Sequence, residues 1–239
     1  MYFGGVFRVN YLFNGISLQN GRQSNMDSLL LKSGLICGKT ALLAVVCDGV
    51  GSLANGAFAS GIAVKMLSEW FNNATTIDRI GMKMRDAILE INSHIRSDAK
   101  QNKIDTASTL SALLLVESDY YITHIGDSRV YCYEEGVNEL SILTTDDISE
   151  SGRLTACIGY DDCIFLQYLE GAATGKTFLV CSDGLYKRMD TDYMITKMKS
   201  WNKRSFKEPI EALPQYVVEC GEQDNISIAL AKIEDRGAF

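Results

Sequence analysis

The stretch LLAVVCDGVGS, residues 42–52, opens as a buried strand and ends in a turn. A run of Leu, Ala and Val without polar interruption describes a strand covered on both faces, and Asp-Gly marks the exit from it. The same shape returns in TFLVCSDGL, residues 177–185, and a third aspartate opens the last apolar segment in EQDNISIALAKI, residues 222–233. Isolated turns have no need to share a place in space. Three carboxylates, each at the tip of a core strand, can meet at one edge of the sheets.

Outward from residues 42–52, short apolar or alternating runs bounded by Gly, Asn or Asp predict strands at about 5–13, 28–33, 41–47, 108–116, 119–126, 128–133, 163–169, 176–182 and 225–232. Helical periodicity is clearest in two blocks. LANGAFASGIAVKMLSEWFNN, 53–73, puts Phe58, Ile62, Met66 and Phe71 near one face, and IDRIGMKMRDAILEINSHIRSDAKQ, 77–101, does the same with Ile80, Met84, Ile88, Ile91 and Ile95. Shorter helices are expected over 191–201 and 208–219. Most strands follow one another through short turns such as EEG, 134–136, instead of alternating with helices, so an α+β sandwich of antiparallel sheets is expected.

The bulk numbers narrow the classes. With 239 residues, 46% of them hydrophobic, and no Pro-rich, Ser-rich or like-charge run, the chain is expected to form one domain over 1–239. The N-terminus has no basic region leading into an apolar one, and no segment reaches the ~18 apolar residues needed to span a bilayer, so a cytoplasmic protein without membrane attachment is expected. Seven cysteines without a C-x-x-C pair are expected to be reduced and mainly core thiols. A net charge of -7 without clustered Lys and Arg argues against a nucleic-acid binder; excess carboxylate usually serves solubility, and it also suits a site for cations.

Five aspartates stand at the edges of apolar runs: Asp27 in GRQSNMD, Asp48 in VVCDGVG, Asp127 in THIGDSRVY, Asp183 in LVCSDGL and Asp224 in EQDNIS. Gathered together they would repel one another unless a cation or a basic group compensated them. Oxygen ligands favour Mg²⁺ or Mn²⁺ over zinc, and the chain has only two histidines, His94 and His124, so a hard divalent ion, or a pair, is the expected cofactor. Taken singly, each aspartate is better explained as a turn residue, and only the ordered set points to metal.

The ordered series R-x-x-N-x-D, D-G-x-G, G-D-S-R, S-D-G-L and D-N-I-S resembles the metal-dependent serine/threonine protein phosphatases of type 2C, the PPM family, in their bacterial form. The resemblance runs from about Ile16 to Ile233. It implies a β-sandwich of two antiparallel sheets flanked by helices on both sides, a four-layer αββα arrangement. It implies further that Asp48 bridges two Mn²⁺ or Mg²⁺ ions, that Gly49 adds its backbone carbonyl, and that Asp183 and Asp224 hold the second ion. Asp27 would act through metal-bound water, Asp127 with a third, weaker ion, and Asn225 behind Asp224. Arg22 matches the phosphate-binding arginine, whose planar fork gives two hydrogen bonds to phosphate oxygens. The implied reaction is in-line attack on phosphoserine or phosphothreonine by a metal-bridging hydroxide, with no side-chain nucleophile. The expected partner is a phosphorylated protein, a serine/threonine kinase or its target, met by a monomeric enzyme.

The chain departs from the family pattern at several positions. Met26 stands where Glu is usual, which predicts weaker metal affinity. Val50 stands where many eukaryotic members have a histidine proposed to protonate the leaving group, Ser52 replaces the second glycine of D-G-x-G-G, and Asp147 in LTTDDIS replaces a histidine. RLTACIG, 153–159, resembles the family's L-T-R-A-L-G, so 146–175 is expected to be a variable, mobile flap beside the site. SGLICGKT, 33–40, and EGAATGKT, 170–177, each miss a P-loop by one residue and are expected to be hairpin turns. The DTD at 190–192 is expected to cap a helix, and both histidines are expected to be structural. Two rivals remain at this point: a phosphoprotein-binding module of the same fold, hinted at by Met26 and Ser52, and a nucleotide binder using a GKT turn, whose ATP binding would survive Asp48→Asn.

Overall fold

Residues 41–47 are buried along their whole length. Period-two alternation explains why no polar position interrupts them: Leu43, Val45 and Cys47 face a helical layer, while Leu42, Ala44 and Val46 face a second sheet. Burying a side chain of this size contributes about 2 kcal/mol, so a strand covered twice dominates its sheet.

The computed structural model describes residues 9–51, 53 and 55–234. Its strands are β1 (Tyr11–Leu18), β2 (Ser28–Ile36), β3 (Lys39–Cys47), β4 (Leu110–Val116), β5 (Asp119–Ile125), β6 (Arg129–Glu134), β7 (Glu139–Ile142), β8 (Gln167–Ala172), β9 (Lys176–Cys181) and β10 (Ile226–Ile233). They form two five-stranded antiparallel sheets, ordered β1-β10-β9-β6-β7 and β2-β3-β4-β5-β8. Helices α1 (Gly56–Asn73) and α2 (Ile80–Asn102) cover the second sheet through Leu67, Met84, Ile88 and Ile91. The single turn α3 (Asp183–Tyr186), with α4 (Thr191–Ser200) and α5 (Glu208–Glu219), covers the first through Leu185, Met194, Met198, Leu213 and Val217. Between the sheets lie Leu113, Ile122, Val130, Phe178, Val180 and Ala229. The result is the four-layer αββα sandwich, and no helix among the described residues is long and apolar enough to cross a membrane.

Several expectations change. The first strand is Tyr11–Leu18, not 5–13, of which residues 5–8 lie outside the described residues; its partner β10 sets the register from Tyr11 opposite Ile233. The edge strand β7, ELSI, has one half-buried and three exposed residues, and so lacks the apolar signal that marks a strand. On α1 the buried stripe is Ala59, Ala63, Leu67 and Phe71, one position along from Phe58, Ile62 and Met66. Small residues let this helix approach its sheet closely, and the larger ones flank the contact. On α2, Ile80, Met84, Ile88, Ile91 and Ile95 are all buried as their spacing predicts.

Cys37-Gly38 is a tight hairpin turn between β2 and β3, both residues having positive φ. The second GKT stretch is not a hairpin, because β8 and β9 belong to different sheets and residues 173–175 cross between them. Neither stretch opens a helix, which removes the structural basis of a P-loop. All seven thiols are free, but only Cys47, Cys132 and Cys181 are core residues; Cys37, Cys163 and Cys220 are exposed and Cys157 is half-buried. Asp190 caps α4, accepting from the Tyr193 N–H at 2.8 Å.

Candidate metal centre

Every member of the aspartate series flanks a strand end, and antiparallel pairing brings those ends together: Ser28 lies opposite Cys47, and Cys181 opposite both Ile228 and Arg129. Asp27 precedes β2, Asp48 follows β3, Asp127 sits in the β5–β6 turn, Asp183 opens α3 after β9, and Asp224 precedes β10. A cavity of about 380 Å³ opens there, lined by Arg22, Met26, Asp48, Gly49, Asp127, Asp183 and Asp224 among others. Asp27 lies behind it, only 8% exposed.

Hydroxyl-bearing residues hold the carboxylates. The Asp48 N–H donates to Thr109 Oγ1 at 3.0 Å, and the Asp48 carbonyl accepts from Ser108 Oγ and the Thr109 N–H, both at 2.9 Å. Ser182 Oγ accepts the Ser227 N–H at 2.9 Å and donates its proton to Asp27 Oδ2 at 2.8 Å, since an ionised carboxylate can only accept. Gly49 is required by packing: a Cβ there would lie 2.5 Å from the carbonyl carbon of Gly56 and 2.7 Å from the carbonyl oxygen of Met26. Asn225 accepts the Met26 N–H at 2.9 Å and donates to the carbonyls of Gln19 and Ser24, stapling the β1–β2 loop to the start of β10.

Electrostatically the site is short of positive charge. Burial, reinforced by Asp183, pushes Asp27 and Asp127 up to about 6 each. Burial, then the charges of Asp27, Asp183, Asp127 and Asp224, drives Asp48 well above the ordinary carboxylate range. Asp27 Oδ1 and Asp183 Oδ1 are buried without a partner. An acceptor oxygen left bare in this way is one that a cation can satisfy.

Two basic side chains supply part of the missing charge. Arg22 forks onto Asp224 with Nε to Oδ1 at 2.7 Å and Nη2 to Oδ2 at 2.6 Å. Burial works against the Asp224 charge, but the hydrogen bonds and charge of Arg22 hold its carboxyl below the usual range. Lys187 bonds Asp183 Oδ2. No three His, Cys, Asp or Glu side chains among the described residues stand close enough together, as placed, to form a ready metal-ligand group. The carboxylates are brought together, and two of them are tied to cations of the chain itself.

Neither histidine reaches the cavity. His124 is fully buried between Ser111 Oγ at 2.8 Å and the Gly126 carbonyl at 3.1 Å, and His94 faces Asp98 on α2. Ser52 lies outside the described residues. Asp147 ties the adjoining segment to the site, its Oδ2 accepting from the Gly126 N–H and its own N–H donating to the Gly126 carbonyl, both at 2.8 Å.

The sequence matches a family model described as protein phosphatase 2C over residues 21–230. The chain belongs to the protein phosphatase 2C family. Among similar proteins, the serine/threonine phosphatase stp of Listeria monocytogenes is 26% identical over 213 residues, covering 80% of this chain and 84% of that one. A putative protein phosphatase of Mycoplasma genitalium is 24% identical and spans 94% of this chain and 96% of its own. The fold of this phosphatase 2C chain superposes on a bacterial serine phosphatase with a TM-score of 0.85, at 20% identity and covering 96% and 100% of the two chains. It also superposes on the catalytic domain of PstP in complex with two manganese ions, with a TM-score of 0.79 at 23% identity, covering 95% and 99%.

The sequence pattern missed Lys187, Ser182 and Thr109 as parts of the phosphatase 2C site. Two of these carried a signal: Ser182 is the serine of S-D-G-L, and Lys187, four residues after Asp183 on a helical turn, shares that residue's face.

Proposed function

We propose that this phosphatase 2C member hydrolyses phosphoserine and phosphothreonine in a protein partner, using Mn²⁺ or Mg²⁺, and opposes a serine/threonine kinase. The observation that supports the reading is the convergence of carboxylates from separate strand ends: Asp48, Asp127, Asp183 and Asp224 line a cavity bordered by Arg22, Asp27 lies behind them, and Asp27 and Asp183 each keep one bare buried oxygen. Hard oxygen donors with surplus negative charge fit a pair of divalent cations. Asp48, the Gly49 carbonyl, Asp183 and Asp224 would hold them, with Asp27 and Asp127 alongside. Such ions supply neutralisation of phosphate charge and a coordinated water that loses its proton near neutral pH.

The chain's own residues do the rest. Arg22, with 56% of its side chain exposed, is free to turn its fork from Asp224 to two oxygens of the phosphate group. Thr109 and Ser108 keep the Asp48 backbone in place, and Ser182 keeps Asp27 turned toward the other carboxylates. Val50 offers no proton and no histidine lines the cavity, so the leaving serine or threonine takes its proton from water. Of the stretch 146–175, Gln167–Ala172 is strand β8, paired with β5, so the flap of the single catalytic domain is confined to 146–166, which meets the protein around the phosphorylated residue; the enzyme works as a monomer.

The test is hydrolysis of a phosphothreonine peptide by the purified chain with Mn²⁺, with Mg²⁺ and with chelator, beside Asp48→Asn. Metal-dependent release of phosphate that falls at least about a hundredfold in the variant is expected. A folded wild type as inactive as Asp48→Asn at millimolar Mn²⁺ would refute the proposal.

A further inference from the structure

Lys187 is the one basic group of the site that no expectation placed there. Its N–H donates to the Asp183 carbonyl at 3.1 Å and its ammonium bonds Asp183 Oδ2. The preceding residue, Tyr186, donates its hydroxyl to the Asp127 carbonyl at 2.8 Å, and the Arg129 guanidinium lies 3.7 Å above the Tyr186 ring. Arg129 is itself fixed by Asp146, Nη2 to Oδ2 at 2.8 Å. The turn carrying Lys187 is thus fastened to the loop carrying Asp127, and the lysine's charge acts on Asp127 as well as on Asp183.

We propose that the Lys187 ammonium is a built-in cation serving Asp183 and Asp127, which stands in for a third metal ion and limits this chain to two. The inference rests on the two-ion site proposed above. Charge supports it. Two divalent ions with Arg22 and Lys187 bring six positive charges against the five carboxylates Asp27, Asp48, Asp127, Asp183 and Asp224; a third ion would bring eight. Geometry supports it too. Four residues after Asp183 on one turn, and on a turn fastened to the Asp127 loop, Lys187 keeps its ammonium within reach of both carboxylates. Lys187 is a positioning residue here, not one that touches the reacting atoms.

The experiment counts Mn²⁺ bound to the full chain by titration calorimetry, checked by the electron spin resonance of free Mn²⁺. It compares wild type with Lys187→Arg, Lys187→Met and Lys187→Asp, each verified as folded by circular dichroism in chelator. Two ions are expected for wild type and for Lys187→Arg. A third site, at least about tenfold tighter than any residual binding by wild type, is expected for Lys187→Met, and a tighter one for Lys187→Asp. Three ions on the wild type would overturn the inference while leaving the metal centre intact, as would two ions on both neutral and acidic variants. A wild type that binds none would overturn it together with the metal centre. The wild-type count decides even if a variant fails to fold.

Discussion

Replacing Asp27 by asparagine should stabilise the metal-free protein while impairing the enzyme. Asp27 is 8% exposed, and burial, partly offset by Ser182, lifts its carboxyl from the ordinary 3.8 to about 6. At 1.36 kcal/mol per pH unit, that distance is worth about 3 kcal/mol. The sign follows from proton counting. A carboxyl whose pKa is raised on folding binds its proton more tightly in the native state, so stability falls as pH rises from about 4 through 6 and stays low above. The Asp27→Asn side chain carries no such penalty. Its amide oxygen can accept from Ser182, and its NH₂ takes the place of the partnerless Oδ1, facing Asp48.

The assay is urea unfolding in chelator at pH 7.5 and pH 5. The Asp27→Asn variant should be more stable than wild type by about 3 kcal/mol at pH 7.5 and by about half that at pH 5, where wild-type Asp27 is largely protonated in the fold. Millimolar Mn²⁺ should raise the wild type more than the variant and narrow the gap. Equal stabilities at pH 7.5, or a gap that ignores pH, would show that the Asp27 environment is not short of positive charge.

Three further perturbations probe the parts around it. Met26→Glu places a carboxylate on the cavity lining, and the Mn²⁺ concentration for half-maximal activity should fall about tenfold, ~1.4 kcal/mol; an unchanged or higher requirement would deny Met26 its place beside the ions. Arg22→Ala removes a two-pronged, charged donor worth roughly 1.5–3 kcal/mol, so kcat/KM for a phosphopeptide should drop about tenfold to a hundredfold, whereas a change under threefold would assign Arg22 to Asp224 alone. Asn92 on α2, 2% exposed, accepts the Gly159 N–H at 2.7 Å and donates to the Asp161 carbonyl at 2.9 Å; Asn92→Ala should cost about 1–3 kcal/mol in urea unfolding and lower kcat/KM for a phosphopeptide more than for p-nitrophenyl phosphate. Equal losses on both substrates would detach residues 153–161 from recognition of the protein around the phosphate.

What the sequence carried about this site depended on range. The five aspartates were legible because a carboxylate at the end of an apolar strand must leave the core, and the following Gly, Ser or Asn marks the turn in which it does so. Their meeting place was legible only through their order, since no local pattern says that β2, β3, β9 and β10 end at the same edge. The Arg22–Asp224 pair spans 202 residues and Ser182–Asp27 spans 155, distances at which composition and periodicity are silent. The α1 stripe went astray for a different reason. Periodicity weights large apolar residues, whereas Ala59 and Ala63 are buried because they are small enough to bring a helix against β3. Strand β7 was invisible because an exposed edge strand needs no apolar face.

The same features that hid the site explain why its anchors are hydroxyls. Carboxylates that repel one another stay together only if their backbones are held by groups carrying no charge of their own. A lysine or arginine in the place of Ser182, Thr109 or Ser108 would neutralise Asp27 or Asp48 permanently and compete with any cation. A hydroxyl fixes direction without cancelling charge: Ser182, held by the Ser227 N–H, aims Asp27 through the proton it donates, and Ser108 and Thr109 grip only the Asp48 backbone. The two permanent cations, Arg22 and Lys187, sit at the solvent side, about half-exposed. Charge is therefore left uncompensated at the buried floor and compensated at the rim, the gradient that a site loaded from solution by divalent cations requires.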